Sequence, residues 1–132
     1  MATELRKKIL IVDDEKLMRS LLQRNVVLAG YDVIVGSNGT EALKALEETT
    51  PDLIVVDLVM PDMNGFELCR RIRNNERTKK TPIIVVSALQ GESDVADAKN
   101  SGADVFLTKP IKPAEFIDHV KKFLPSPFRT AS

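Results

Sequence analysis

Three blocks of four consecutive aliphatic residues constrain this chain most: Ile9-Leu10-Ile11-Val12, Leu53-Ile54-Val55-Val56 and Ile83-Ile84-Val85-Val86. A strand with one wet face alternates apolar and polar residues, whereas a strand covered on both faces reads as an unbroken apolar run. None of the three alternates, so each is expected to be buried on both sides, as parallel strands are inside an α/β sheet. Tyr31 to Val35 and Asp104 to Leu107 are weaker strand candidates that bring the number to five. A segment with helical period follows each. Leu17, Leu21, Leu22, Val26 and Leu28 mark the first, and Ala42, Leu43 and Leu46 the second. Phe66, Cys69 and Ile72 mark the third, Val95 and Ala98 the fourth, and Phe116, Val120, Phe123 and Leu124 the fifth.

Turn residues fall where this pattern needs them: Gly30, Thr50-Pro51, Asn64-Gly65, Thr81-Pro82 and Gly102 separate the units. Strict β/α alternation with right-handed crossovers gives an α/β fold, a five-stranded parallel sheet with helices on both faces. The commonest arrangement for five strands is the flavodoxin-like order 2-1-3-4-5. One domain is expected over residues 1–124, with Pro125 to Ser132 an aperiodic C-terminal tail or the start of a linker.

Composition narrows the function. Lys+Arg and Asp+Glu both number 19, so no whole-molecule attraction to nucleic acid or anionic lipid is expected. A single cysteine, Cys69, and a single histidine, His119, exclude internal disulfides, Cys/His zinc cages and HExxH chemistry. Four-residue apolar blocks are too short for a membrane span or a signal-peptide core, so a cytoplasmic protein is expected. Six basic residues between Arg70 and Lys80 stand against Glu76 alone, without interleaved aromatics. They read as a solvated helix face and loop rather than a nucleic-acid site. Gly36-Ser37-Asn38-Gly39 lacks GxGxxG spacing and no P-loop occurs. Cys69 sits at core spacing, Asp62 and Asn64 are expected to shape the loop before the third helix, and His119 has no obvious partner.

Ligands of open parallel sheets bind beyond the carboxyl ends of the strands, near the switch in strand order. Strand one ends in Asp13-Asp14, strand three in Asp57, strand four in Ser87-Ala88 and strand five in Thr108-Lys109-Pro110. Strands one and three are neighbours in the expected order, which gathers three carboxylates. Crowded carboxylates raise one another's proton affinity unless a cation neutralises them, and oxygen-only ligands select a hard ion such as Mg2+. Lys109 adds a flexible positive charge and Ser87 a hydroxyl. Such a site suits a phosphoryl group, with Asp57 as the nucleophile. The Asp13-Asp14 pair alone reads more readily as a helix N-cap than as a metal site, and Asp14 is expected to cap the first helix too.

The chain resembles the receiver domains of two-component response regulators, the family of the chemotaxis protein CheY. The resemblance is carried by Ile11-Val12-Asp13-Asp14-Glu15, by Asp57-Leu58-Val59-Met60-Pro61-Asp62-Met63-Asn64-Gly65, by Ser87-Ala88, by Gly102-Ala103-Asp104 and by Lys109-Pro110. It implies that Asp57 accepts a phosphoryl group from a histidine kinase or phosphotransfer protein. It implies that Asp14, Asp57 and the Val59 backbone carbonyl ligate Mg2+, with Asp13 acting through water. Ser87, Ala88 and Lys109 would bind the phosphoryl oxygens, Phe106 would change rotamer, and the Lys109-Pro110 peptide would be cis. The implied protein is a signalling switch that catalyses only its own phosphorylation and dephosphorylation, with its output on the face of helix four, strand five and helix five.

Its partners would be the kinase and a downstream effector protein, with no direct nucleic-acid or membrane contact, and phosphorylation-dependent homodimerisation is compatible with it. Phe106 lacks the hydroxyl of the Tyr found in many relatives, and Ser87 replaces Thr. Val59 and Leu89 are apolar and cannot orient an attacking water, so a long-lived phosphoryl form is expected. Two rival functions are weaker. A small aspartate-dependent phosphohydrolase would need an acid where Val59 stands, and a phosphorylation-independent docking module would not need the full acidic pocket.

Overall fold

The computed structural model describes residues 5–129. Five β/α units follow one another in the chain: β1 Lys8–Val12, α1 Lys16–Leu28, β2 Asp32–Gly36, α2 Gly39–Glu48, β3 Leu53–Val56, α3 Gly65–Arg73, β4 Ile83–Ser87, α4 Glu92–Asn100, β5 Val105–Thr108 and α5 Pro113–Phe123. All strand pairs are parallel and the order is β2-β1-β3-β4-β5. The fold class, the sheet order and the five-unit count are those expected from the sequence. β2 and β5 each begin and end one residue later than the apolar pattern indicated, because Tyr31 and Asp104 serve as connections instead.

β3 and β4 are buried at every position, and so is all of β1 after Lys8. Their side chains alternate between two cores, one on each face of the sheet. Leu10, Val12, Ile54, Val56, Ile83 and Val85 pack with Leu68, Cys69 and Ile72 of α3 and Leu46 of α2. Ile9, Ile11, Leu53, Val55, Ile84 and Val86 pack with Leu22 and Val26 of α1 and Phe116 and Val120 of α5. Each fully buried apolar side chain contributes about 1.5–3 kcal/mol of transfer free energy, and with the cavity left behind, truncating Phe116 to Ala is a change of about 3–5 kcal/mol.

The local signals act as polar chemistry requires. Asn64 caps α3 by accepting from Glu67 N at 2.9 Å, and Asn38 caps α2 by accepting from Glu41 N at 2.8 Å. Gly30 and Gly102 follow α1 and α4 with φ of +102° and +117°, which a side chain would strain. The N-cap of α1 is Glu15 rather than Asp14, and no side chain caps it. Residues 125–129 of the expected tail fold back beneath the sheet. Lys7 N donates to Pro127 O at 2.7 Å, Arg129 N donates to Leu5 O at 2.9 Å, and the Arg6 guanidinium lies 5.0 Å from the Phe128 ring centre. Residues 130–132 lie outside the described residues.

Candidate functional site

Backbone pairing places the acidic residues. Val12 and Val56 are in register, and Asp57 N donates to Val12 O at 3.0 Å, so the residues after β1 and β3 emerge side by side. Asp13 N donates to Gly36 O at 3.2 Å, which holds the first loop from the β2 side. Asp13 and Asp57 are buried, 1% and 4% exposed, while Asp14 is exposed. One carboxylate oxygen from each of the three lies within 4.8 Å of the others.

Lys109, at the end of β5, enters this cluster. Its Nζ is 3.1 Å from Asp13 Oδ2, 3.1 Å from Glu15 Oε1 and 3.3 Å from Asp57 Oδ2. Three carboxylates, those of Asp13, Glu15 and Asp57, therefore share one ammonium, and Asp14 adds a fourth negative charge beside them. The backbone supplies two more donors: Glu15 N to Asp13 Oδ1 at 2.9 Å and Val59 N to Asp57 Oδ1 at 3.2 Å. Asp13 Oδ2 is close to the ammonium yet poorly directed for a hydrogen bond, and it has no other partner.

The titration of these groups follows from burial and charge. Burial pushes the Asp13 and Asp57 carboxyls above the usual aspartate range, against the pull of the backbone donors and of Lys109. Burial alone would lower the Lys109 ammonium, but Glu15, Asp13 and Asp57 outweigh it and raise its pKa, so the lysine is charged. The donor set is all oxygen, carries excess negative charge and includes a buried oxygen without a hydrogen bond. It fits a hard divalent cation and offers nothing to a soft one.

The other strand ends complete the cleft. Lys109 N donates to Ser87 O at 2.8 Å, and Ser87 is paired in register with Thr108, which fixes β4 and β5 at the same height. The Lys109-Pro110 peptide is cis. A cleft of about 300 Å³ is lined by Asp14, Glu15, Asp57, Val59, Ala88 and Lys109. Val59 is exposed on its rim. Ser87 is fully buried behind it, its Oγ accepting from Leu89 N at 3.2 Å. Leu89 and Phe106 are half-buried against the core on the α3 side. Only glycine fits at 65, where a Cβ would strike Asp57 O and come 2.6 Å from Leu58 Cα.

The structure thus brings together Asp13, Asp14, Asp57, Val59, Ala88 and Lys109. Glu15 was missed by strand-end reasoning, and the signal was its place as the third acid in Asp13-Asp14-Glu15. Cys69 is completely buried and burial pushes its thiol up to about 11, as befits a core residue. The basic segment is only partly a solvated face. Arg70, Arg71 and Lys79 pair with Glu67 and Glu76 at the surface. Arg73 instead donates to Thr81 O at 2.6 Å, Gly102 O at 2.8 Å and Asp104 Oδ2 at 2.9 Å. Arg77 donates to Leu46 O.

Comparison with known proteins agrees with this geometry. Residues 9–121 match the family model of the response regulator receiver domain. The chain belongs to that family. Among curated relatives, the alkaline phosphatase synthesis transcriptional regulatory protein PhoP of Bacillus subtilis is 43% identical over 118 residues, which are 89% of this chain and 48% of PhoP. Protein PilG of Pseudomonas aeruginosa is 35% identical over 119 residues, 90% of this chain and 88% of PilG. The receiver thus spans about half the length of PhoP and most of PilG. The structure of Vibrio cholerae chemotaxis protein CheY4 superposes with a TM-score of 0.85 at 30% identity, covering 89% of this chain and 98% of that one. The receiver domain of the Pseudomonas aeruginosa sensor histidine kinase PA1611, solved with magnesium coordinated in its active site cleft, gives 0.84 at 26% identity, covering 92% and 99%. Receiver domains of two-component systems are signalling switches, and the Asp13-Asp14-Asp57 pocket is consistent with a phosphorylation site. No helix among the described residues is long and apolar enough to cross a membrane.

Proposed function

We propose that Asp57 of this receiver accepts a phosphoryl group from the phosphohistidine of a histidine kinase or phosphotransfer protein, and that the modified state changes partner binding on the α4–β5–α5 face. The observation that carries the proposal is the sharing of Lys109 between the buried carboxylates of Asp13 and Asp57. Asp57 opens on the cleft with one oxygen beside the ammonium. An Asp57 carboxylate oxygen forms the new P–O bond as the P–N bond to the donor imidazole breaks, and the imidazole leaves with the N–P electron pair and takes up a proton.

Asp14, Asp57 and the Val59 carbonyl, with Asp13 through water, would hold Mg2+, which neutralises charge on the phosphoryl oxygens when bound. Lys109 is already charged beside Asp57 and pairs with those oxygens. Ala88 N–H and the Ser87 hydroxyl supply further donors, the hydroxyl after turning from Leu89 N. These contacts form in one loop arrangement only, so the new charge stabilises that arrangement over the other. The half-buried Phe106 ring on β5 then repacks between alternative sites without needing a hydroxyl.

Intact-mass spectrometry after incubation with acetyl phosphate tests the chemistry. A single phosphoryl adduct that requires both Mg2+ and Asp57, absent in Asp57→Asn, is expected. No adduct on a folded wild-type protein, or an adduct that persists in Asp57→Asn, would overturn the proposal.

A further inference from the structure

The segment Gly36–Thr40, from the last residue of β2 into the first turn of α2, touches both acid-bearing loops although it supplies no residue to the cleft. On one side, Gly36 O accepts Asp13 N at 3.2 Å. On the other, Asp62 of the β3–α3 loop accepts from Gly39 N at 3.0 Å, Thr40 N at 3.0 Å and Thr40 Oγ1 at 2.7 Å. These two N–H groups are the first two donors of α2, which have no partner inside the helix. The third, Glu41 N, goes to Asn38 Oδ1, and Glu41 Oε1 in turn accepts Ser37 N at 2.8 Å. Asn38 thus caps α2 from within its own segment, and Asp62 caps it from the loop that follows Asp57. The same loop leans on Gly39, where a Cβ would lie 2.8 Å from Met63 Cβ, so the Met63 side chain packs directly on the Gly39 backbone.

The two ends of the β3–α3 loop are consequently fixed in different ways. Near Asp57 it is held by Gly65 N donating to Leu58 O at 2.9 Å and by Val59 N on Asp57. At its tip it is held by Asp62 alone among its charged groups. The Thr40 hydroxyl and both backbone donors keep the Asp62 carboxyl below the usual aspartate range, so the clasp is charged at neutral pH.

We infer that Asp62 is a positioning residue: by clasping Gly39 and Thr40 it sets the β3–α3 loop against the β1–α1 loop, and so fixes the spacing of the Val59 carbonyl and Asp57 relative to Asp13 and Asp14. The inference rests on the reading of this pocket as a Mg2+ site. Losing an outer partner that orients metal ligands typically weakens metal binding about 10–100-fold, and Asp62 acts one step further out, so the low end of that range applies.

The test is isothermal titration of the full chain with MgCl2, together with thermal unfolding without Mg2+. Asp62→Ala is expected to weaken Mg2+ binding by about tenfold, and Asp62→Asn, which still accepts hydrogen bonds, to recover most of it. Thr40→Val, which keeps both backbone donors, is expected to give a smaller loss, and to add nothing in combination with Asp62→Ala because the two share one clasp. Asn38→Ala destabilises the same helix without touching the loop and leaves the Mg2+ affinity unchanged. Unchanged affinity in both Asp62→Ala and Thr40→Val, or an equal loss in Asn38→Ala, would overturn the inference. Absence of Mg2+ binding by the wild-type chain would overturn the metal-site reading itself, and the inference with it.

Discussion

Replacing Lys109 by Met removes the ammonium shared by Asp13, Glu15 and Asp57 and keeps most of the aliphatic stem. Two of the three pairs are buried, with side-chain exposures of 10% for Lys109, 1% for Asp13 and 4% for Asp57. The Glu15 pair is 64% exposed on the acid side and adds little. At separations near 3 Å and an effective dielectric of 20, each buried pair has a gross Coulomb attraction of about 5 kcal/mol, much of it offset by the desolvation of the lysine. Breaking a buried pair typically costs about 3–5 kcal/mol, and the solvent cleft beside this one lowers the expected loss to about 2 kcal/mol. With an unfolding entropy of about 2.1 cal/mol/K per residue, the midpoint falls by about 7 °C.

The loss must also depend on pH. Asp13 and Asp57 have folded pKa values raised above 3.8, so each costs stability once pH exceeds the unfolded value, and none below it. Removing the ammonium raises those folded values further and enlarges that cost. The raised Lys109 pKa keeps its own charge in place throughout the acid and neutral range. Urea unfolding of both proteins followed by circular dichroism between pH 7.5 and pH 4.5 should therefore show the Lys109→Met penalty shrinking as the carboxylates protonate. A penalty of equal size across that range would mean that Lys109 acts through the packing of its stem, and the electrostatic account would fail.

Val59→Asn puts a polar group on the cleft rim, and loss of the phosphoryl adduct followed by intact mass should quicken several-fold; an unchanged lifetime would remove Val59 as a determinant. Arg73→Ala deletes bonds to Thr81 O, Gly102 O and Asp104, and should cost about 2–4 kcal/mol in urea unfolding, against under about 0.5 kcal/mol for Arg71→Ala at the surface. The native Cys69 thiol, buried and raised to about 11, should react with a disulfide reagent at pH 8 only as fast as the protein opens, with full reactivity restored in denaturant.

What the sequence disclosed was what depends on short-range periodicity. Uninterrupted apolar blocks marked β1, β3 and β4, and the rule that ligands sit at strand ends then pointed to Asp13, Asp14, Asp57, Ser87 and Lys109. The partners it did not disclose lie across long separations, including the one through which Asp62, expected to shape its own loop, acts. Glu15 meets Lys109 94 positions away, Asp62 meets Gly39 23 positions away, and Arg73 meets Gly102 29 positions away. Glu15 and Arg73 look like ordinary surface charges until the fold brings their partners near. Residues 125–129 form a single antiparallel bridge, which needs no alternating pattern and so left no trace in the sequence. The one-residue displacement of β2 and β5 arises where apolar content is weakest and the ladder, rather than composition, decides where pairing ends.

Amide hydrogen exchange read by mass spectrometry, on wild type and Asp57→Asn with acetyl phosphate and Mg2+, tests the switch most directly. The account predicts altered protection in wild type in the 87–91 loop and across α4, β5 around Phe106 and the start of α5, with none in Asp57→Asn. A phosphoryl adduct on Asp57 with exchange unchanged beyond the β3–α3 loop would contradict it, since charge added at Asp57 would then bias no second arrangement.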